Sequence, residues 1–268
     1  TNEKGSIMNQ PRVLIVEDEF LTGADIRSKL IKMGCRITQV VDSGEAAIDA
    51  VYAEKPDLIL MDITLSGKMT GIEAAEKIRS MYDIPIIYLT AHTDQSTVSR
   101  AKDTSPFGYL IKPFDERTLL ITVDVTLHRH EMERKLKISE ERYRSIAELS
   151  DDYIIIVDRS YTILFINTAA ARFIGDAQES INGKKFSDIA PVDLSNKILP
   201  TIDNVFFAGQ KYRIQDEYIL SGDHSVWLDT SLIPIISGDT DDQVLIVSRD
   251  ITVEKIIEKD ITDHGLAQ

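Results

Sequence analysis

Over its first half the chain alternates short apolar runs with longer amphipathic stretches. RVLIVEDE is an apolar run that ends in acids, and FLTGADIRSKLIKMG sets Leu21, Ile26, Leu30 and Met33 at helical spacing before Gly34. RITQVVDSG reads as a second strand and GEAAIDAVYAEKP as a second helix, closed by Pro56. Strand DLILMD, loop ITLSGKMTG, helix IEAAEKIRSMYD, strand IPIIYLTA, helix TDQSTVSRAKDT, strand FGYLIKP and helix DERTLLITVDV follow in turn. Strands alternating with helices predict parallel βαβ units with right-handed crossovers. The unbroken run Leu58 to Met61 suits a strand covered on both faces. Residues 12–127 are therefore expected to be α/β, a doubly wound five-stranded parallel sheet, with its functional crevice at the carboxyl ends of the strands.

From 115 to 149 helix formers run almost without interruption. Leu120, Val123 and Leu127 follow three-four spacing, as do Leu136, Tyr143 and Ile146 with Ser139 between, but the two seams fall out of phase across His128 to Arg134. The expectation is a coiled-coil linker over 128–148 with a stutter, suited to parallel dimerisation. Beyond 150 the grammar turns mostly β. DYIIIVD and TILFIN flank a turn, helical segments follow in TAAARFIG and DLSNKILPTIDNVFFAG, and YRIQDEYIL, SVWLDTSLIPII and QVLIVSRDI close the region. This predicts an α+β domain over 149–258 with a five-stranded antiparallel sheet and Trp227 in its core. Residues 1–11 read as a disordered segment and 259–268 as a tail.

Length and composition narrow the class. A chain of 268 residues allows two domains, each with its own core. No apolar run approaches the roughly 18 to 20 residues of a membrane span. The opening TNEKGSIMNQPR lacks the apolar centre of a signal peptide, so a cytoplasmic protein is expected. Cys35 is the only cysteine, which excludes a disulfide framework and a thiolate metal cluster; it reads as a small buried hydrophobe. The net charge is −14, and residues 151–268 carry 10 basic against 20 acidic groups, which argues against direct DNA binding.

The strand ends collect the chemistry. Glu17, Asp18 and Glu19 end the first strand, Asp62 the third, Thr90 the fourth and Lys112 the fifth, so acids, a hydroxyl and a lysine converge on one sheet edge. A carboxylate at the end of a buried strand is costly unless something pairs with it, binds it or reacts with it.

VLIVEDE, LILMDI, YLTA and YLIKPF, in this order on a (βα)5 pattern, resemble the receiver domain of two-component response regulators. The resemblance implies a flavodoxin-like sheet of order 2-1-3-4-5. It also implies that Asp62 accepts a phosphoryl group from a cognate histidine kinase. Asp18, Asp62 and the backbone carbonyl of Thr64 would hold Mg²⁺, a hard cation suited to oxygen ligands, with Glu17 acting through water. Lys112 would pair with the phosphoryl oxygens, or at rest with Asp62. Thr90 would move toward the phosphoryl group, the small Ala91 would leave it room, and Tyr109 would rotate inward. The loop after Asp62 lacks the frequent Met-Pro pair, and Thr70 stands where Asp often precedes the glycine. Thr64 and His92 flank the route of attacking water without a carboxamide or carboxylate to orient it, so slow autodephosphorylation is expected.

ERYRSIAELSDDYIIIVDRSYTILFINTAAARFIG, with VWLDTSLIPI and LIVSRDITVEK, resembles a PAS domain, most recognisably at Asn167 and at Asp250-Ile251-Thr252. A flavin-thiol photosensor would need a cysteine that this region lacks, and neither His224 nor His264 stands where a haem ligand would. The PAS ligand is expected to be none or an unidentified small molecule, with Lys184, Lys185 and Arg213 as the bases that could steer an anion. These resemblances together imply a non-enzymatic response regulator, a homodimer that acts indirectly on transcription or another partner protein. Two alternatives stand beside it: the front of a longer sensor kinase, and a regulator that binds DNA directly. His130-Glu131 resembles a kinase phosphoacceptor pair, but a kinase needs a further ATP-binding domain of roughly 100 residues or more.

Overall fold

The computed structural model describes residues 10–91, 107–221, 224–236 and 242–265. The helix expected over TDQSTVSRAKDT, His92 and residues 1–9 lie outside the described residues. The chain divides into two compact units between Ile138 and Ser139.

In the first unit β1 (Arg12–Val16), β2 (Arg36–Val41), β3 (Leu58–Asp62), β4 (Ile86–Ala91) and β5 (Gly108–Lys112) form a parallel sheet of order β2-β1-β3-β4-β5. Side chains alternate across a strand, so each central strand feeds two cores. Leu14, Val16, Ile59, Met61 and Tyr88 pack under α2 (Gly44–Ala53) and α3 (Gly71–Met81). Val13, Ile15, Leu58, Leu60 and Leu89 pack under α1 (Phe20–Lys32) and the start of α4 (Glu116–Glu148). All five residues of β3 are buried, as its apolar run predicts.

Local signals set the helix ends. Gly34 takes a left-handed φ of +82° after α1, donating to the Ile31 carbonyl while Cys35 donates to that of Leu30. This Schellman turn satisfies two orphan carbonyls and delivers buried Cys35 to the core at the start of β2. Thr70 begins α3 with a capping box: its hydroxyl accepts from the Glu73 N–H while the Glu73 carboxylate accepts from the Thr70 N–H. That local role fits a threonine at the position where the sequence departs from the commoner receiver pattern.

The long helix α4 is continuous, and it corrects the expected seam. Val123 is buried with Leu119 in the core of the first unit and Leu127 packs against it, so the Leu120, Val123, Leu127 spacing largely records packing within the chain. Leu136, Tyr143 and Ile146 are exposed. The apparent break in phase comes from joining two different faces of one helix.

The second unit holds an antiparallel sheet of order β7-β6-β10-β9-β8, built from β6 (Tyr153–Asp158), β7 (Ile163–Ile166), β8 (Tyr212–Ser221), β9 (His224–Ile235) and β10 (Gln243–Asp250). Between β7 and β8 lie α5 (Thr168–Ile174), α6 (Gln178–Ile181), α7 (Phe186–Ile189) and α8 (Val192–Ala208), whose apolar faces close the core with Phe186, Ile198, Ile202 and Val205. Trp227 is not in that core: it is half-buried between the core residues Val226 and Leu228, on the other face of β9, with Lys255 over its ring. The period of two along a strand makes this unavoidable once Val226 and Leu228 face inward. The last helix, α9 (Thr252–Gly265), runs through the boundary expected at 258.

Candidate functional site

Three carboxylates meet at the carboxyl edge of the parallel sheet. Glu17 and Asp18 follow β1 and Asp62 ends β3, and because these strands pair directly, their carboxylate oxygens lie within 4.8 Å of one another. Lys112, at the end of β5, reaches across with its Nζ 2.5 Å from Asp62 and 2.6 Å from Glu17. The second Asp62 oxygen accepts from the Thr64 N–H at 2.9 Å.

Charge and burial explain the arrangement. Glu17 and Asp62 are both buried. Burial, reinforced by Asp62, pushes the Glu17 carboxyl up against the pull of Lys112. Burial also opposes the Lys112 ammonium, but the hydrogen bonds and charges of Asp62 and Glu17 outweigh it and raise the lysine. One ammonium among three carboxylates leaves an excess of negative charge on hard oxygen donors. That donor set fits a divalent cation such as Mg²⁺.

The other residues singled out by sequence lie on the neighbouring strands β4 and β5. Thr90 is buried and donates its hydroxyl to the Ala91 carbonyl at 3.1 Å, while Ala91 itself is exposed. The half-buried Tyr109 stacks on Tyr88 with ring centroids 5.9 Å apart. Its hydroxyl is buried without a hydrogen-bond partner among the described residues, and burial pushes the phenol up. Two residues escaped sequence reasoning. Ser66 donates to Asp18 from both its backbone N–H and its hydroxyl. Gly71 lies so close that a Cβ there would stand 1.8 Å from the Asp62 carbonyl oxygen. The glycine was visible in the sequence, but its contact with Asp62 across the β3–α3 loop leaves no periodic signal, and the serine sits in that same loop.

In the second unit Asn167 is fully buried. Its Oδ1 accepts from the Ile154 and Ala170 N–H groups, and its Nδ2 donates to the Ala147 and Asp152 carbonyls at 2.9 Å each. Glu148 adds a second tie, accepting from Thr168 and Gln178. A cavity of about 20 Å³ lies among Tyr153, Ala170, Phe173, Phe186, Ile198 and Leu228. That is space for about one water. Arg213 is paired with Asp229, Lys185 donates to the Ser160 carbonyl, and Lys184 lies 3.9 Å from Asp176. His224 is exposed at the start of β9, and the His264 side chain lies outside what is described. His130 packs edge-on against Phe107 with Nε2 3.2 Å from Asp83. Among the described residues no helix is long and apolar enough to cross a membrane.

Residues 13–124 match the response regulator receiver domain, and residues 147–256 match the PAS fold. The transcriptional regulatory protein PdtaR of Mycobacterium tuberculosis is 36% identical over 118 residues, an alignment covering 44% of this chain. The chain spans 57% of the length of that curated relative. Among solved structures, the signal receiver domain of a modulated diguanylate cyclase from Desulfovibrio desulfuricans G20 is 38% identical, covering 47% of this chain and 99% of that one with a TM-score of 0.45. A putative response regulator from Chloroflexus aurantiacus J-10-fl is 27% identical, covering 45% of this chain and 99% of that one with a TM-score of 0.43. The chain thus carries a receiver domain of the response regulator family, followed by a domain of the PAS fold.

Proposed function

We propose that the chain works as a response regulator of a two-component phosphorelay, with Asp62 as phosphoacceptor and a histidine kinase as donor. The observation that carries this is the meeting of Glu17, Asp18 and Asp62 within 4.8 Å, with Lys112 bridging two of them. An Asp62 oxygen attacks phosphorus of a phosphohistidine. The P–O bond forms as the P–N bond breaks, and the electron pair returns to the imidazole ring. Mg²⁺ held by Asp18, Asp62 and the Thr64 carbonyl, with Glu17 acting through water, would neutralise the two anions that must approach. Lys112 follows the phosphoryl oxygens away from Asp62. Thr90 turns its hydroxyl from the Ala91 carbonyl toward the phosphoryl group, the small Ala91 leaves it room, and the Tyr109 hydroxyl moves with it. The chain itself carries out no turnover beyond losing the phosphoryl group.

The output passes through α4 to the PAS-fold domain in a homodimer, and acts on a partner protein. That the mycobacterial relative is named a transcriptional regulatory protein supports control of transcription; the charge of −14 supports an indirect route. Incubation with acetyl phosphate and Mg²⁺, followed by intact-mass measurement, tests the centre. Wild type should gain one phosphoryl group, and Asp62→Asn or omission of Mg²⁺ should abolish the gain. Labelling retained in Asp62→Asn would overturn the assignment.

A further inference from the structure

The outward face of α4 carries a pattern that packing among the described residues does not use. Ile121, Val125, Met132, Leu136, Tyr143 and Ile146 are between 44 and 69% exposed. On a helix of 3.6 residues per turn, these six together with His128 and Ser139 fall within an arc of about 80°. The stripe runs for about 38 Å. Buried Leu119, Val123 and Thr126, and His130 beside Asp83, occupy the opposite side. Exposed Leu120 and Ile138 lie about 120° from the stripe, and isolated apolar residues of that kind are ordinary on a surface.

The spacing along the stripe is an 11-residue repeat rather than a heptad. Ile121, Met132 and Tyr143 are one series; Val125, Leu136 and Ala147 are the second; His128 and Ser139 share a third. Eleven residues in three turns, about 3.67 per turn, stay nearly in phase with a straight α-helix and favour a straight or slightly right-handed pair over a left-handed coiled coil.

The flanks of the stripe identify its occupant. Asp124 and Lys135 lie on one side, Arg129 and Glu140 on the other. When two parallel helices pair in register along the stripe, each flank lies against the opposite flank of the partner, and charges five residues apart, about 7.5 Å in rise, come within side-chain reach. Asp124 then meets the second copy's Arg129, and Lys135 meets the second copy's Glu140. Both pairs are opposite in charge, and they too are spaced by 11. In the single chain Arg129 and Lys135 make exposed i,i+4 pairs to Glu133 and Glu131, and Arg129 also lies over the Phe107 ring. Exposed ion pairs of this kind contribute little and can be exchanged.

We propose that a second copy of this chain packs along this stripe, parallel and in register, through an 11-residue seam with the charge pairs Asp124–Arg129 and Lys135–Glu140 between copies. The inference deepens the homodimer named in the proposed function and does not depend on the chemistry at Asp62. Single cysteines test it in the full chain on a Cys35→Ala background, with and without acetyl phosphate and Mg²⁺. Under mild oxidation Met132→Cys, Leu136→Cys and Tyr143→Cys should each give disulfide-linked dimer, and Lys137→Cys and Glu141→Cys, on the far face, should give at least about tenfold less. In sedimentation, Asp124→Arg should weaken the dimer several-fold, and Asp124→Arg with Arg129→Asp should restore it. Equal crosslinking at stripe and far-face positions, an antiparallel pattern, or a charge swap that fails to rescue would overturn the seam. A protein that stays monomeric under both conditions would overturn the seam and the homodimer together. Phosphoryl uptake by intact mass is measured on the same samples, so failure of the seam and failure of the phosphoacceptor assignment are told apart.

Discussion

Gly71 shows how one backbone position can govern the centre without touching a ligand. What crowds it is fixed backbone, since an added Cβ would meet the Asp62 carbonyl oxygen at 1.8 Å and its carbon at 2.9 Å. Neither atom can move without shifting the end of β3, on which Asp62 itself is carried. Gly71→Ala should therefore destabilise the first unit by about 3 kcal/mol and also lower phosphoryl uptake, because the acceptor is displaced. Gly67→Ala is the control: its nearest contact would be the end of the Glu45 side chain, at 3.4 Å, and both readouts should stay close to wild type. Denaturant melts and acetyl phosphate labelling of the two variants make the comparison. Equal behaviour of the pair would count against the close approach as the reason for glycine.

At the scale of elements, Asn167 joins the end of α4, the start of β6 and the first turn of α5 through one side chain. Its oxygen does the work of an N-cap, and its nitrogen donates to the part-buried carbonyls of Ala147 and Asp152. Asn167→Asp keeps an acceptor of the same shape but loses both donors and sets a charge beside two carbonyl oxygens. It should cost about 2 to 4 kcal/mol, as much as Asn167→Ala or more. Urea unfolding followed by the fluorescence of Trp227, the only tryptophan of the chain, reads this unit directly. A mild effect of Asp beside a severe effect of Ala would show that the cap matters and the two donated bonds do not.

For the whole molecule, the buried residues form separate clusters in the two units, two flanking the parallel sheet and one inside the antiparallel sheet. Ile78 and Ile202 are fully buried, one in each unit. Truncating either to Ala should cost about 2 to 4 kcal/mol. Ile202→Ala should move the Trp227 fluorescence transition, whereas Ile78→Ala should move a different calorimetric transition and leave the fluorescence midpoint in place. A single transition displaced equally by both variants would mean that the units unfold as one.

What depends on nearest neighbours and periodicity could be read from the chain alone. The alternation of apolar runs and amphipathic stretches specified the described strands of both sheets, and the placement of Asp18, Asp62, Thr90 and Lys112 at strand ends specified which edge carries the chemistry, because parallel strands present their carboxyl ends together. The remaining contacts follow from how separate segments pack together. Lys112 is shared between Asp62 and Glu17, Ser66 holds Asp18, and Gly71 abuts Asp62, contacts whose partners lie far apart in sequence or in an aperiodic loop. Trp227 faces away from the core because the register of β9 gives that side to Val226 and Leu228. On α4 the spacing read as one coiled-coil seam with a stutter, and which face of the helix is covered depends on where the parallel sheet lies. That long-range packing buries Val123 and leaves the stripe from Ile121 to Ile146 exposed.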